Sequence, residues 1–407
     1  MRVTHVITRL IVGGAQENTL ASVLGLHRIP GIDVQLISGL SEGPEGSLEP
    51  EAQRVPGLLR IVPELVRPVR PLTDVQALIA LARIFRSEKP DIVHTHSGKA
   101  GLVGRLAASL AGVPVIIHTI HGPSFGTFQG PLPNAAFRAA ERLAALCTTH
   151  FVVVAHAMTR QYLAAGIGAP EQYTRVLSGF PLAPFLEAQP SAAVRSRLGL
   201  APSDIVIGKI GRLFELKGHD DLIDVAPDLV RDVSALRFLL VGDGPWRARL
   251  EARVQAAGLT PYFRFTGLVP PAQVPELVGV MDLLVHLSRR EGLARALPQA
   301  LAAGRPVIAY DCDGANEVCL NGRTGYLVNP GDLGTLRERI RRLAKDPALR
   351  LEFGQTGKEL VREGFTVERM VADLHALYVR LLSGSPGRTP GPRSGPHPPA
   401  FRQRTRP

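Results

Sequence analysis

Cysteine is scarce: 407 residues contain three, Cys147, Cys312 and Cys319, with no Cys-x-x-Cys pair and no cysteine–histidine cluster at metal-ligand spacing. That argues against a disulfide scaffold or a structural zinc site and fits a reducing cytoplasm. Long apolar runs are missing too. None approaches the roughly 18 uninterrupted residues of a spanning helix, because Gly112, Pro114 or His150 breaks the longest. The opening MRVTHVITRLIVGGAQE reaches Gly13 and Gly14 too early for a signal-peptide core and alternates as a strand does. No Gly-x-Gly-x-x-Gly follows that strand, which argues against an ordinary dinucleotide site. Acid is absent from residues 383–407, where Arg388, Arg393, Arg402, Arg404 and Arg406 supply five of the eleven net positive charges. A Gly/Pro/Ser/Arg segment of this kind cannot make a core, so a disordered tail is predicted there. The remaining excess, at Arg60, Arg67, Arg70, Arg83, Arg86, Arg105, Arg138 and Arg142, loads the N-terminal half. Attraction to an anionic lipid or partner would use it, but solvated helix faces are the simpler reading.

What is present is a rhythm. At this length and 45% hydrophobic content the chain exceeds one core, and two domains are expected. VTHVIT, DVQLIS, DIVHTH, VPVIIHTI and HFVVVA are short strand-like runs in the first half, with helical stretches such as Leu72 to Arg86 and Gly101 to Ala111 between them. The rhythm restarts after the proline-rich GFPLAPFLEAQP at 179–190, read as a linker, with DIVIGKIGRL, LRFLLVGDGP, YFRFTGLV, DLLVHLS, RPVIAY and TGYLVNP. Strands alternating with helices make parallel, doubly wound sheets. The expectation is an α/β protein of two Rossmann-like domains, 1–180 and 181–365, facing across a cleft. A helix over 366–382 should pack back on the first lobe, ahead of the tail at 383–407. Ligands of such sheets bind beyond the carboxyl ends of the strands.

Several loops there have the right chemistry. In SRREGLARALPQALAAGRPVIAY, from Ser288 to Tyr310, Glu291 and Gly292 precede a small, apolar stretch read as a helix from Leu293 to Ala303. Backbone N–H groups at such a turn can approach a polar ligand closely. Gly13-Gly14-Ala15-Gln16 opens the first helix in the same way. Arg212 and Lys217 stand on the loop after a strand, where two cations suit a diphosphate. VGDGP offers Gly242 and Gly244 for close backbone approach. His94, His96, His118 and His121 all lie at strand ends, and His121 ends a strand where the cleft should be. No metal is expected: no acid or thiol stands at ligand spacing, and Asp311-Cys312-Asp313 resembles an Asp-x-Asp pair in letters only. Each loop alone is equally an ordinary turn.

Taken in order, Gly13-Gly14, TIHG at 119–122, GRLFELKG at 211–218, VGDGP at 241–245, EGLARALPQALAAGRPVIA at 291–309 and GRTGYLV at 322–328 resemble the retaining group 1 glycosyltransferases (family 4), which have the GT-B fold. The resemblance spans roughly residues 1 to 380. It implies an acceptor-side N-terminal domain and a nucleotide-sugar-binding C-terminal domain. It places Gly14 near the donor diphosphate, His121 on the donor sugar, and Arg212 and Lys217 on the diphosphate. Glu291 becomes the first acid of a Glu-x7-Glu motif, with Gly292 and Leu293 supplying N–H groups. The second acid, which holds the ribose, is here Gln299, so weaker or re-oriented ribose binding is expected. HTHSGKAGLVGR at 94–105 also resembles the family, and puts His94, His96 and Lys99 on the acceptor side.

The resemblance implies metal-free transfer of a sugar from a nucleotide diphosphate, a UDP-sugar by family frequency, to a lipid-linked or polysaccharide-precursor acceptor. No cofactor or nucleic acid is implied, and the place is the cytoplasm or the inner face of the membrane. Rival readings are a sugar-nucleotide epimerase of the same architecture, a non-catalytic nucleotide-sugar-binding assembly protein motivated by Gln299, and a plain structural α/β protein.

Overall fold

The computed structural model describes residues 1–384 apart from 42, 44, 45 and 127. The first seven strands are β1 (Arg2–Ile7), β2 (Asp33–Ser38), β3 (Leu59–Ile61), β4 (Ile92–His96), β5 (Val115–Ile120), β6 (His150–Val153) and β7 (Tyr173–Arg175). They form one parallel sheet in the order β3-β2-β1-β4-β5-β6-β7. Six more, β8 (Ile205–Ile210), β9 (Leu236–Val241), β10 (Phe263–Phe265), β11 (Leu283–His286), β12 (Val307–Tyr310) and β13 (Gly325–Val328), form a second in the order β10-β9-β8-β11-β12-β13. Every expected strand is there. The edge strands β3 and β7, three residues each, are additional.

Alternate residues of each strand enter different layers. Val3 and Ile7 of β1 face a cluster covered by helices Gly14–His27 and Val367–Ser383, through Leu20, Val23, Leu374 and Leu377. Val6 faces the opposite layer, covered by Pro71–Glu88 and Gly98–Leu110 through Leu81, Phe85 and Val103. The second sheet is sandwiched likewise, with Leu297 and Leu301 on one side and Leu222, Leu229 and Ile340 on the other. Two helix-covered parallel sheets are what near-continuous β-branched and leucine runs dictate.

The residues between the sheets depart from expectation. Phe180, Leu182 and Phe185 are buried, residues Ala183–Leu186 make a helical turn, and the Phe180 N–H donates to the Phe365 carbonyl at 3.0 Å. The supposed linker is thus packed, because its aromatics outweigh its prolines. The chain returns beside it, and Val367–Ser383 lies on the N-terminal lobe so closely that a Cβ on Gly25 would sit 2.3 Å from a Val371 methyl. That helix ends at Ser383, with Gly384 after it; the rest of the expected tail lies outside the described residues. Among the described residues no helix is long and apolar enough to cross a membrane.

Candidate active site

In both sheets the strand order reverses beside the first strand, between β1 and β4 and between β8 and β11. Crevices beyond the carboxyl ends open at such reversals. The expected loops follow four strands near these points: Gly13–Gly14 after β1, His121 after β5, Arg212–Lys217 after β8 and Glu291–Leu293 after β11. They meet across the two lobes. A Cβ on Gly292 would lie 2.1 Å from the His121 carbonyl, so glycine is required there for backbone to approach backbone. Arg295 pairs with Glu17 at 2.7 Å, and its Cδ stands 3.5 Å from where a Gly14 Cβ would be. Arg290 donates to the Pro123 carbonyl at 3.1 Å through Nε and stacks on Phe128 at 3.8 Å.

Lys217 forms an ion pair with Glu291 at the centre of this meeting. The loop that carries Lys217 is held by backbone geometry. Leu216 has φ of 68°, a left-handed conformation costly for leucine. Its carbonyl accepts from Arg289 N at 2.8 Å and Ser288 Oγ at 3.3 Å. A Cβ on the next glycine, Gly218, would strike the Leu287 carbonyl at 2.2 Å. The two loops are therefore locked together, aiming lysine at glutamate. His219 Nε2 donates to the Arg212 carbonyl at 3.0 Å. Arg212 and Lys217 share the Phe214 face, at 4.8 and 5.8 Å from its centroid.

Charge here is concentrated and partly dehydrated. Burial alone would raise the Glu291 carboxyl, but Lys217, with His286 nearby, holds it well below the usual range. His286 Nε2 lies 3.6 Å from Glu291 Oε1 and, like Lys209 on β8, is buried. Burial, with Lys217 nearby, pushes the Lys209 ammonium down to about 7, while Asp221 and Glu291 oppose the shift. The site thus offers cations to a phosphate and a carboxylate to sugar hydroxyls.

The helix behind the loop starts at Ala296, not Leu293. Pro298 explains this: proline fits the first turn but not farther in. Gly292 and Leu293 consequently sit in the loop, where their N–H groups donate to no acceptor among the described residues. Glu291 N instead donates to Asp313 at 2.7 Å, and Asp313 also accepts from Gln161 at 2.5 Å. The Asp-Cys-Asp letters mark a loop clamp. Gly242 and Gly244 are demanded by the protein itself, since Cβ atoms there would strike the Gly211 and Leu213 carbonyls at 2.3 and 2.5 Å. Gln299 is half-buried on the helix, with no side-chain partner among the described residues.

The two acceptor-side histidines are closed off from direct contact. His94 and His96 are buried at 0% and 1% exposure, and each of their ring nitrogens is already hydrogen-bonded within the protein. Lys99 binds Asp74 and the Pro68 carbonyl. Neither histidine has a ring nitrogen left to meet an acceptor. His5, His94 and His96 bring ligand atoms within 4.8 Å, as a metal site would, but the same bonds use every ring nitrogen. Sequence reasoning missed Lys209, His286, Arg290, Arg295 and Asp313. Arg290 and Arg295 flank the very loop it chose, and a charge count of that loop would have raised them.

Both halves of the chain match known protein families. Residues 13–178 match the glycosyl transferase 4-like domain and residues 191–360 the glycosyl transferases group 1 family. The chain is 32% identical over 321 residues to the 2-deoxystreptamine glucosyltransferase of Streptomyces kanamyceticus, covering 75% of this chain and 81% of that one. It is 27% identical over 324 residues to the Escherichia coli UDP-Gal:alpha-D-GlcNAc-diphosphoundecaprenol alpha-1,3-galactosyltransferase, covering 79% and 83%. Among solved structures, Anabaena HepE in complex with UDP and glucose superposes with a TM-score of 0.78 at 21% identity, over 93% of this chain and all of that one. Two Rossmann-like lobes of this topology, and loops that converge between them, thus accompany a match over both halves: the chain is a GT-B glycosyltransferase of the group 1, family 4-like family.

Proposed function

We propose that this glycosyltransferase moves a sugar from a UDP-sugar to a lipid-linked or polysaccharide-precursor acceptor, with retention of anomeric configuration and without a metal. The observation that carries the reading is the Lys217–Glu291 pair, set beside Arg212 and the uncommitted N–H groups of Gly292 and Leu293. On donor binding Lys217 exchanges the carboxylate for a diphosphate oxygen, and Glu291 turns to the sugar hydroxyls. Arg212 and Lys217 then stabilise the charge that develops as the anomeric C–O bond breaks, the part a metal would otherwise play. The acceptor oxygen attacks from the same face and its proton passes to the departing phosphate. His121 and the N–H groups of the first helix turn, from Gly14, complete the donor cradle, and Gln299 faces the ribose.

UDP is favoured because a relative is named for UDP-Gal and solved neighbours hold UDP; the lipid-linked acceptor rests on the same relative's name. Peripheral contact with an anionic membrane has support in helix Pro131–Ala145, which buries only Glu141 and Ala144 and exposes Leu132, Phe137 and Leu143 beside Arg138. Thermal unfolding with UDP, GDP or ADP tests the donor: a ligand at 100 times its Kd adds about 2.7 kcal/mol. A shift with UDP alone is expected. It is followed by label transfer from a panel of UDP-sugars in the presence of EDTA, and a requirement for added metal would overturn the metal-free route.

A further inference from the structure

On one face of the first sheet the strand register gathers histidines. His5 stands opposite His94, and His96 opposite Thr119. His94 and His96, like Thr119 and His121, are two residues apart and point the same way. The C-terminal helix lowers Tyr378 onto this row. The resulting contacts run in series: Thr119 Oγ1 to His94 Nε2 at 2.6 Å, His94 Nδ1 to Tyr378 Oη at 2.5 Å, and Tyr378 Oη to His5 Nε2 at 3.3 Å. They continue from His5 Nδ1 to His96 Nε2 at 2.9 Å and from His96 Nδ1 to His121 Nε2 at 3.0 Å. His121 Nδ1 is left with no partner among the described residues, where the His121 loop meets Gly292.

Burial keeps these imidazoles neutral: His5 is pushed down to about 3, His121 to about 4, and His94 and His96 well below their ordinary value. A neutral ring has one N–H and one bare nitrogen, so each link fixes the next. The series therefore has two self-consistent polarities. In one, the Thr119 hydroxyl is an acceptor, and its own buried hydrogen finds no acceptor among the described residues. The void beside it, about 10 Å³, is at the bottom of the roughly 10–15 Å³ that a water needs. In the other, Thr119 donates to His94, His94 to Tyr378, Tyr378 to His5, His5 to His96 and His96 to His121, and the hydrogen left without an acceptor is moved to His121 Nδ1, which is not among the fully buried unpartnered atoms. An unmade buried hydrogen bond is costly, and the second polarity avoids it.

We propose that Thr119, His94, Tyr378, His5 and His96 are positioning residues, a hydrogen-bonded chain of fixed polarity that holds His121 as its Nδ1–H tautomer and so presents an N–H donor to an oxygen of the donor sugar. The proposal rests on the placement of His121 at the sugar in the functional reading above. Its consequence is that a side chain on the last helix sets the chemistry offered in the cleft.

Ring-nitrogen NMR of the full chain labelled with ¹⁵N-histidine reads the tautomer independently of activity. The His121 signals are those lost in His121→Gln. The wild type should show a bare Nε2 and a protonated Nδ1. Tyr378→Phe cuts the chain and should shift His121 towards a mixture with its Nε2–H form. Thr119→Val should do the same from the far end, Thr119→Ser should not, and these two keep the question open should Tyr378→Phe fail to fold. An Nε2–H His121 in the wild type, or a His121 tautomer unmoved in both cut variants, overturns the proposal. Ring signals as stated without transfer from any UDP-sugar would count against the functional reading and leave the chain standing.

Discussion

Lys217 and Glu291 neutralise each other until a donor arrives, so each is held in place at little electrostatic cost. We expect Lys217→Ala to lower turnover by on the order of 10²-fold, the loss typical of one transition-state donor; unchanged turnover in a steady-state assay would remove the lysine from the mechanism. Gln299→Glu should tighten UDP binding several-fold, read by calorimetry, because a charge-assisted bond to a ribose hydroxyl exceeds a neutral one by on the order of 1 kcal/mol. Equal or weaker binding would place that side chain away from the ribose. Lys209 carries a pH signature. Its folded value, about 7, lies below its ordinary 10.5, so the unfolded chain holds the extra proton between those limits and stability attributable to this group rises with pH there. Lys209→Met should flatten the stability–pH curve above pH 7, by up to about 1.4 kcal/mol per pH unit, and should stabilise the protein most below that window. Parallel urea titrations of both proteins check the sign.

Helix Pro131–Ala145 is attached by an ion pair more than by a core. Arg105 Nη2 meets Glu141 at 2.7 Å, both sides almost fully buried, and Glu141 also accepts from Ser124 in the loop that follows His121. Glu141→Ala strands a buried guanidinium and is expected to cost about 3–5 kcal/mol, seen in the urea midpoint; a cost below 1 kcal/mol would mean that water reaches Arg105. Sequence reasoning counted Arg105 among solvated arginines, since its partner stands 36 residues away and nothing local announces burial. The elements divide the same way. Strands were legible because a parallel sheet covered on both faces demands continuous apolar runs, and glycine turns mark where they end. The start of the helix at Ala296 was legible only through Pro298. The resemblance of HTHSGKAGLVGR to the family points His94 and His96 to the acceptor side, and the helix that buries them lies some 280 residues on. The loops carrying Arg212, Lys217, Glu291 and His121 could be found from the letters, whereas the pairing of lysine with glutamate needed two loops from separate strands to be brought together.

At the scale of the molecule, the lobes are joined by side chains as well as by the chain. Arg295–Glu17, Arg175–Glu317 and Gln161–Asp313 all span them. The Phe180 N–H to Phe365 carbonyl bond ties together the two segments that cross between the lobes. The return of Val367–Ser383 to the first lobe also bears on how the protein is made. Met370, Val371, Leu374, Leu377 and Tyr378 complete a core begun by Val3 and Ile7. Synthesis delivers Val3 and Ile7 long before their cover, so the amino-terminal lobe stays unfinished while the second lobe emerges and can fold on its own schedule. A released chain truncated after residue 366 should therefore show a protease-sensitive amino-terminal half beside a protected carboxy-terminal one, reversing the order in which the ribosome wrote them.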